Sequence, residues 1–419
     1  MRHPRERGSL DRREFLQRSA GAAIALSGSS AFLAACSSEG GDAGGTGTSA
    51  APFELARRDN PVTLPLYDDN TAIAANLEPE AGPLKIYNWI DYLDKKTLKK
   101  FEKEFGVKTE ITIFNTMDEA VAKLRSGGVD FDVFFPTVDR LGKLVAGKLL
   151  QPVNLSYMPN LEANIWPQLT SPFYDVGSRY TVPYVIYSTG IGYRVDHVDP
   201  PPDEFSNPYD IYFDEKYRGK TYLLDDYREA MCQLLLRNGV TDMNTDDQAA
   251  LDQVREDLLA LTDAVKVKTS VLDYQYVPEG RAWVHEAWSG DFVSAQYYLA
   301  QGVETSDLGY WFPADGKGPV NSDLLVLLRT GKNPALGHLF LNHLLDYDVA
   351  VDNMSWNGYQ PPQNKLNPSE LVDQELLPKN LHNATVLPAY FDIGYRYLEL
   401  PGEVDDRWHA AWQEFKAGA

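Results

Sequence analysis

The stretch LKIYNWIDYLDKKTLKKFEKEFGVKTEITIF, from Leu84 to Phe114, decides the fold class. Leu84-Lys85-Ile86-Tyr87 reads as a strand, and Asp94 is placed to cap a helix carrying Leu98, Phe101 and Phe105 on one face. Gly106 closes that helix, and Val107 to Phe114 is β-rich. Working outward, Thr116-Met117-Asp118-Glu119 is a capping box opening a helix that Gly127-Gly128 ends. Phe131 to Phe135 is a buried-type strand, followed by a helical segment from about Asp139 to Ala146. Strand and helix alternate, which predicts α/β layers around a mostly parallel sheet.

A second run of this kind begins after Asp196. Thr221 to Leu224 reads as a strand and Asp226 to Asn238 as a helix. Trp283 to Trp288 is a strand with Val284, Glu286 and Trp288 on one side. Leu324 to Leu328 is an apolar strand, followed by Pro334 and a helix from Ala335 to Leu345. Ligands of such sheets sit outside the carboxyl ends of strands. The candidate binding loops are therefore Asn88-Trp89, Pro136-Thr137, Asp225-Asp226 and Ser289-Gly290.

The first fifty residues read as an address. Arg12-Arg13-Glu14-Phe15-Leu16 is a twin-arginine pattern, and an apolar stretch from Ala20 to Ala35 follows, too rich in Gly and Ser for a membrane span. It ends in Leu33-Ala34-Ala35-Cys36, which resembles a bacterial lipoprotein box with Cys36 as the lipidated first residue of the mature chain. Residues 37–50 are a Ser/Gly/Ala/Thr tether, and residues 51–83 are irregular, interrupted by Pro52, Pro61, Pro65 and Pro79. The lead to Ala35 carries six arginines against Glu6, Asp11 and Glu14, so its removal takes the formal charge from -21 to -24. So acidic a surface excludes a phosphate-binding nucleic-acid face and suits cationic partners. With 17 Phe, 24 Tyr and 8 Trp, the chain has the material for a core. Its two cysteines exclude a disulfide scaffold and a Cys-based zinc site.

No motif points to catalysis. Gly219-Lys220-Thr221 resembles the end of a phosphate loop, but Asp214 stands where the leading Gly belongs. His338 and His343 read as helix residues rather than metal ligands, and Cys232 as a buried, inert thiol. No cofactor is expected. Counting alone leaves open a glycosidase-type carboxylate pair among 60 acids.

Three ordered stretches resemble the spermidine/putrescine-binding proteins, the polyamine receptors of bacterial ABC transporters. They are Tyr87-Asn88-Trp89-Ile90-Asp91-Tyr92, Leu223-Leu224-Asp225-Asp226-Tyr227-Arg228-Glu229 and Trp288-Ser289-Gly290. Val182-Pro183-Tyr184, the strand opened by Asp323, and Asn357-Gly358-Tyr359-Gln360-Pro361 are weaker echoes in the same order. The resemblance implies a type II periplasmic-binding-protein fold: two α/β lobes around a ligand cleft, with hinge crossovers near Gly190 to Arg194 and Gly318 to Ser322. The lobes would be 84–190 plus 322–370, and 191–321 plus 371–419, after a signal peptide (1–35) and a tether with irregular segment (36–83).

The resemblance also implies a site and partners. Trp89, Asp91 and Tyr92 would form one end, and Asp226 and Glu229 would hold a nitrogen. Trp288 would line the methylene channel, Asp323 would take another ammonium, and Tyr359 would close on the chain. Asp139, or its neighbour Val138, stands where the family has an aromatic wall. Ile90 replaces a small polar residue, Asp91 is a methylene shorter than the glutamate often found there, and Asn321 replaces an aromatic. Each residue also has a structural reading: Asp226 with Glu229 as a capping pair, Trp89 and Trp288 as core aromatics, Asp91 as a turn residue, Asp323 as solvent-exposed. The implied protein is a monomeric, lipid-anchored receptor that hands a polyamine to a membrane permease. The same clamp for another small solute, and a sensor lipoprotein without transport, remain the alternatives.

Overall fold

The computed structural model describes residues 54–418, so the twin-arginine pattern, the apolar stretch and Cys36 lie outside the described residues. Ten strands form one sheet: β1 Leu84–Trp89, β2 Thr109–Phe114, β3 Val133–Phe134, β4 Leu150–Gln151, β5 Thr181–Arg194, β6 Thr221–Leu223, β7 Lys268–Thr269, β8 Val284–Trp288, β9 Leu308–Trp311 and β10 Val320–Leu328. Their spatial order is β2-β1-β3-β10-β5-β8-β6-β7, with β4 also on β10 and β9 also on β5.

The leading segment folds as its pattern predicts. Asp94 accepts from the Lys96 amide at 3.0 Å and opens the helix Lys95–Phe105, whose Leu98 and Phe101 are buried. Gly106, at φ 68°, ends it in the left-handed conformation that a side chain would strain. The Thr116 hydroxyl accepts from the Glu119 amide at 3.2 Å, but Glu119 returns its carboxylate to Asn115, one residue earlier than a reciprocal box requires.

The sheet is mixed, which corrects the expectation of a mostly parallel one. β1 runs parallel to β2 and β3, and β6 parallel to β7 and β8, as βαβ crossovers demand. Between these two parallel sets lie β5 and β10, and every pairing they make is antiparallel. Thr181 to Ser188 of β5 pair with β10, whereas Thr189 to Arg194 pair with β8 and β9. One strand thus serves both halves of the sheet. The ladder slips by one residue between Asp323 and Leu324, at Pro183-Tyr184, a bulge of the kind that re-aims side chains beside functional sites.

β10 also starts four residues earlier than its apolar run suggests, so Asp323 lies inside a strand buried along its whole length. Asp323 is 6% exposed, which removes the solvent-exposed reading. Cys232 and His338 are fully buried as structural residues; His338 accepts from the Asn154 amide at 2.9 Å. Among the described residues no helix is long and apolar enough to cross a membrane.

Asp132, just ahead of β3, knits this half of the sheet together. Its carboxylate accepts from the amides of Lys85 (2.8 Å), Lys332 (2.7 Å) and Asn333 (2.8 Å), and from the Asn333 side chain (2.9 Å). Asp132→Ala leaves these donors without acceptors, and each buried orphan costs roughly 1–3 kcal/mol. Urea denaturation is expected to show a loss of about 3 kcal/mol or more; a loss below about 1 kcal/mol would contradict this role.

Candidate functional site

The candidate residues come from strand ends and the turns after them. β1 ends at Trp89 and the chain turns at Asp91, whose φ of 52° is left-handed, sending Tyr92 inward. The Tyr92 hydroxyl donates to Asp323 Oδ2 at 2.5 Å. Tyr92's own carbonyl accepts from the hydroxyl of Tyr184 (2.6 Å) and the side-chain amide of Asn357 (3.1 Å). The Tyr92 ring meets Tyr359 edge-on, with centroids 5.0 Å apart, and Tyr359 meets Tyr187 at 6.0 Å.

Two of the quoted stretches pack directly on each other. Gly290 lies under the Tyr359 ring, where a Cβ would stand 2.3 Å from Cγ, and Gly358 (φ 82°) would put a Cβ 2.2 Å from the Gly290 carbonyl. Glycine is needed at both places because ring and backbone occupy the space a side chain would fill.

A second cluster sits at the start of the helix Tyr227–Arg237. Asp226 caps it, accepting from the amides of Arg228 (2.9 Å) and Glu229 (3.2 Å), so its structural reading holds. Glu229 does not cap. Its Oε1 accepts from the Trp288 indole at 2.8 Å, while Oε2 makes no hydrogen bond of good geometry, although Thr189 and Tyr397 hydroxyls stand close. Asp323 Oδ1 is likewise without a well-formed hydrogen bond, with the Tyr187 hydroxyl nearby. Asp139, 9% exposed, lies in the turn Val138–Arg140 and faces Arg140 at 3.4 Å.

The acids are close enough to disturb one another. Burial, then repulsion from Asp226, pushes the Glu229 carboxyl up to about 8. Burial pushes Asp323 up to about 7, with Asp139 adding to it. Asp226 is raised by burial and by Asp139, against a lowering by Arg140. Behind them Glu286, fully buried on β8, accepts from the Leu224 amide at 2.9 Å and is raised by burial and by Glu229. Burial raises the Tyr187 hydroxyl well above the ordinary tyrosine range, and the negative charges of Asp323, Glu229, Asp139 and Asp226 add to it.

Asp91 and Trp89 stand at the same strand end, but Trp89 spends its N–H on the Phe135 carbonyl (3.0 Å) and packs on Phe114 at 4.6 Å. Its core reading fits these contacts better. Sequence reasoning missed Tyr187 as a site residue, and also the fully buried Asp273, whose oxygens make no well-formed hydrogen bond and whose carboxyl is raised by burial and by Asp291. Glu286, an acid inside the short strand Val284–Trp288, was the available signal for a buried acidic site. Arg228, in the same stretch as Asp226, donates to the carbonyls of Leu398 and Met243, both at 2.9 Å.

Glu229 and Asp323 bind protons more tightly folded than unfolded, where values near 4.5 and 3.8 apply. Their contribution is therefore full at acid pH and is lost as pH rises through about 7 and 8, by up to about 1.4 kcal/mol per pH unit for each group. The ligand-free protein is expected to lose stability between pH 5 and 9, and Glu229→Gln to flatten that slope. Equal slopes for both proteins in denaturant titrations across this range would refute the assignment.

Comparisons with known proteins agree with this architecture. Residues 96–378 match the family model described as bacterial extracellular solute-binding protein. A putrescine/cadaverine-binding protein of Pseudomonas aeruginosa is 27% identical over 272 residues, which is 64% of this chain and 75% of that one. The spermidine/putrescine-binding periplasmic protein 1 of Haemophilus influenzae is 27% identical over 79% of this chain and 88% of its own. Among solved structures, a putative spermidine/putrescine ABC transporter from Listeria monocytogenes superposes with a TM-score of 0.68 at 27% identity, covering 80% of this chain and 98% of that one. With its mixed α/β sheet and a family match across most of its length, the chain belongs to the bacterial extracellular solute-binding proteins.

Proposed function

We propose that this protein captures a polyamine or a related linear organic cation for an ABC permease, held to the outer face of the membrane by lipid on Cys36. The observation that carries the reading is the pair Glu229 and Asp323. Both are over nine-tenths buried, each has one oxygen on an aromatic N–H or O–H, and neither forms an ion pair with another described residue. Burying a carboxylate without a countercharge is heavily penalised, and an arriving ammonium removes that penalty. Tyr92, Tyr187, Tyr359 and Trp288 supply flat apolar walls for the methylenes between nitrogens, where a well-placed ring adds roughly 0.5–2 kcal/mol to a nearby cation.

The ligand would lie between two lobes, 84–190 with 322–370 and 191–321 with 371–419, that close about β5 and β10. Asp91, Asp139 and Asp226 would add negative potential around the path. Capture and release would need no bond made or broken, and a single copy would suffice. An anionic solute fits poorly, because Arg228 donates to backbone carbonyls and Arg140 is enclosed by carboxylates. Uptake of labelled putrescine in a deletion strain separates transport from a sensing role, and loss of lipid label in Cys36→Ser tests the anchor.

Calorimetric titration of residues 37–419 with putrescine, spermidine and spermine at 0.15 M salt is the direct test. One-to-one binding is expected, weakened at least tenfold by Glu229→Gln or Asp323→Asn. Because binding requires both carboxylates ionised, affinity should rise between pH 6 and 8, with protons released on binding. Heat that vanishes with salt would mean only a polycation attracted to an acidic surface, and the reading would fall.

A further inference from the structure

We propose that residues 54–83 form a strap tying the two lobes together, and that its Arg57 and Arg58 are positioning residues that hold the segment 391–399 beside the site, so that the strap slows the release of ligand. This rests on the binding reading above and adds to it a device that governs how the clamp opens.

The strap has no helix and only two tight turns, closed by the bridges Arg57–Asn60 and Tyr67–Asn70. It is nonetheless fastened along its length to residues of the first lobe. The Val62 amide donates to the Phe173 carbonyl at 2.8 Å, and the Val62 carbonyl accepts from the Val176 amide at 2.9 Å. Arg179 donates to the Leu64 carbonyl and Tyr180 to the Pro65 carbonyl, both at 2.7 Å. Asn70 donates to the Leu150 carbonyl at 2.7 Å. Glu80 accepts from the amides of Ala335 (3.2 Å) and Leu336 (2.9 Å), at the start of the helix Pro334–Leu344. Val62 and Leu64 are buried in the core that holds Tyr87, Phe134 and Tyr180.

The other end of the strap reaches a different part of the fold. Arg57 donates to the Glu399 carbonyl at 3.0 Å. Arg58 spreads its guanidinium over the carbonyls of Phe391, Asp392 and Gly394, the last at 2.9 Å. Between Ile393 and the helix Gly402–Gly418 the chain forms only a single bridge, Tyr395 with Pro319, so its carbonyls need donors from elsewhere. An arginine, with five N–H groups in a planar fork, serves several at once.

The segment held in this way frames the site. Its Tyr395 carbonyl accepts from the Val320 amide at 2.8 Å, and its Tyr397 amide donates to Asn321 Oδ1 at 3.2 Å, two residues before Asp323. The Leu398 carbonyl accepts from Arg228, the neighbour of Glu229, at 2.9 Å. Tyr397 and Leu400 are buried in the second core, with Tyr227, Leu234 and Trp408. The strap is thus packed in one core and hydrogen-bonded to a segment packed in the other. Glu229 and Asp323 are 5% and 6% exposed, so a ligand enters or leaves only when the lobes part. Parting them carries 391–399 away from the seat of the strap at Phe173 to Tyr180, and the arginine bonds or the seat must be given up. Contacts made in one conformation and lost in the other favour the first, so the strap holds the clamp closed.

The test uses the chain from residue 37 as wild type, as Arg57→Gln with Arg58→Gln, and as Arg179→Met, which frees the Leu64 carbonyl without touching 391–399. Release of putrescine is followed by stopped flow. Lobe separation is followed without ligand, from spin labels at Lys99→Cys and Glu256→Cys, both exposed and one on each lobe, while Cys232 is buried and stays unlabelled. The double variant should release ligand about fivefold faster or more, with longer label distances than wild type, and Arg179→Met should move both in the same direction. Unchanged release and distances in a folded double variant overturn the strap. If that variant does not fold, Arg179→Met decides alone, and no change there overturns it. A change in the double variant without one in Arg179→Met also overturns it, since the arginines would then act on 391–399 alone. Failure of putrescine, cadaverine and spermidine to bind would sink the polyamine reading, whereas the label distances would still decide the strap.

Discussion

The antiparallel pairing of β5 with β10 is the constraint on which the rest of this structure depends. β5 is fourteen residues long and changes partners midway, from β10 to β8 and β9, so both halves of the sheet share its backbone. Because the two strands are buried on both faces, their register is fixed by every side chain they carry. Asp323 and Tyr187 stand two rungs apart on this ladder, and the bulge at Pro183-Tyr184 turns the Tyr184 hydroxyl onto the Tyr92 carbonyl. Strand pairing, and not loop conformation, therefore positions the centre of the acidic row.

The electrostatics follow from that placement. A buried carboxylate normally acquires a cation or becomes neutral, and burial pushes Glu229 and Asp323 toward the second outcome in the ligand-free chain. Aromatic donors hold the carboxyls in place without neutralising them. A tyrosine hydroxyl or an indole N–H fixes the orientation of one oxygen yet leaves the negative charge of the ionised form available to a ligand. Lysine or arginine in the same places would fix the geometry equally well and abolish the need for a ligand.

Much of this was legible in the sequence where local chemistry decides it. Asp94 and Asp226 announce their helices by side-chain capping, and both cap as expected. The strand–helix alternation from Leu84 to Phe135 follows from apolar periodicity. What was not legible depends on partners distant in sequence. Nothing near Val320 signals that β10 begins there, since Asn321, Ser322 and Asp323 look like loop residues until Tyr187, Ile186 and Val185 supply the ladder. Trp89 and Trp288 read alike as strand-end aromatics, yet one N–H goes to a backbone carbonyl and the other to Glu229. The difference lies in what stands opposite, and sequence carries no trace of it.

Arg140 is a buried cation beside these acids, with its Nε 3.4 Å from Asp139. An arginine next to Asp139 would neutralise the site if its guanidinium turned toward Asp323 and Glu229. Asp118, Asp405 and Tyr227 engage its remaining nitrogens, and Lys143 holds Asp405 in turn. The charge of Arg140 is therefore spent within the protein, while Glu229 and Asp323 keep only neutral donors, an indole N–H and a tyrosine hydroxyl. A buried cation and buried acids thus lie in one fold without cancelling, because the partners of each are fixed by separate elements.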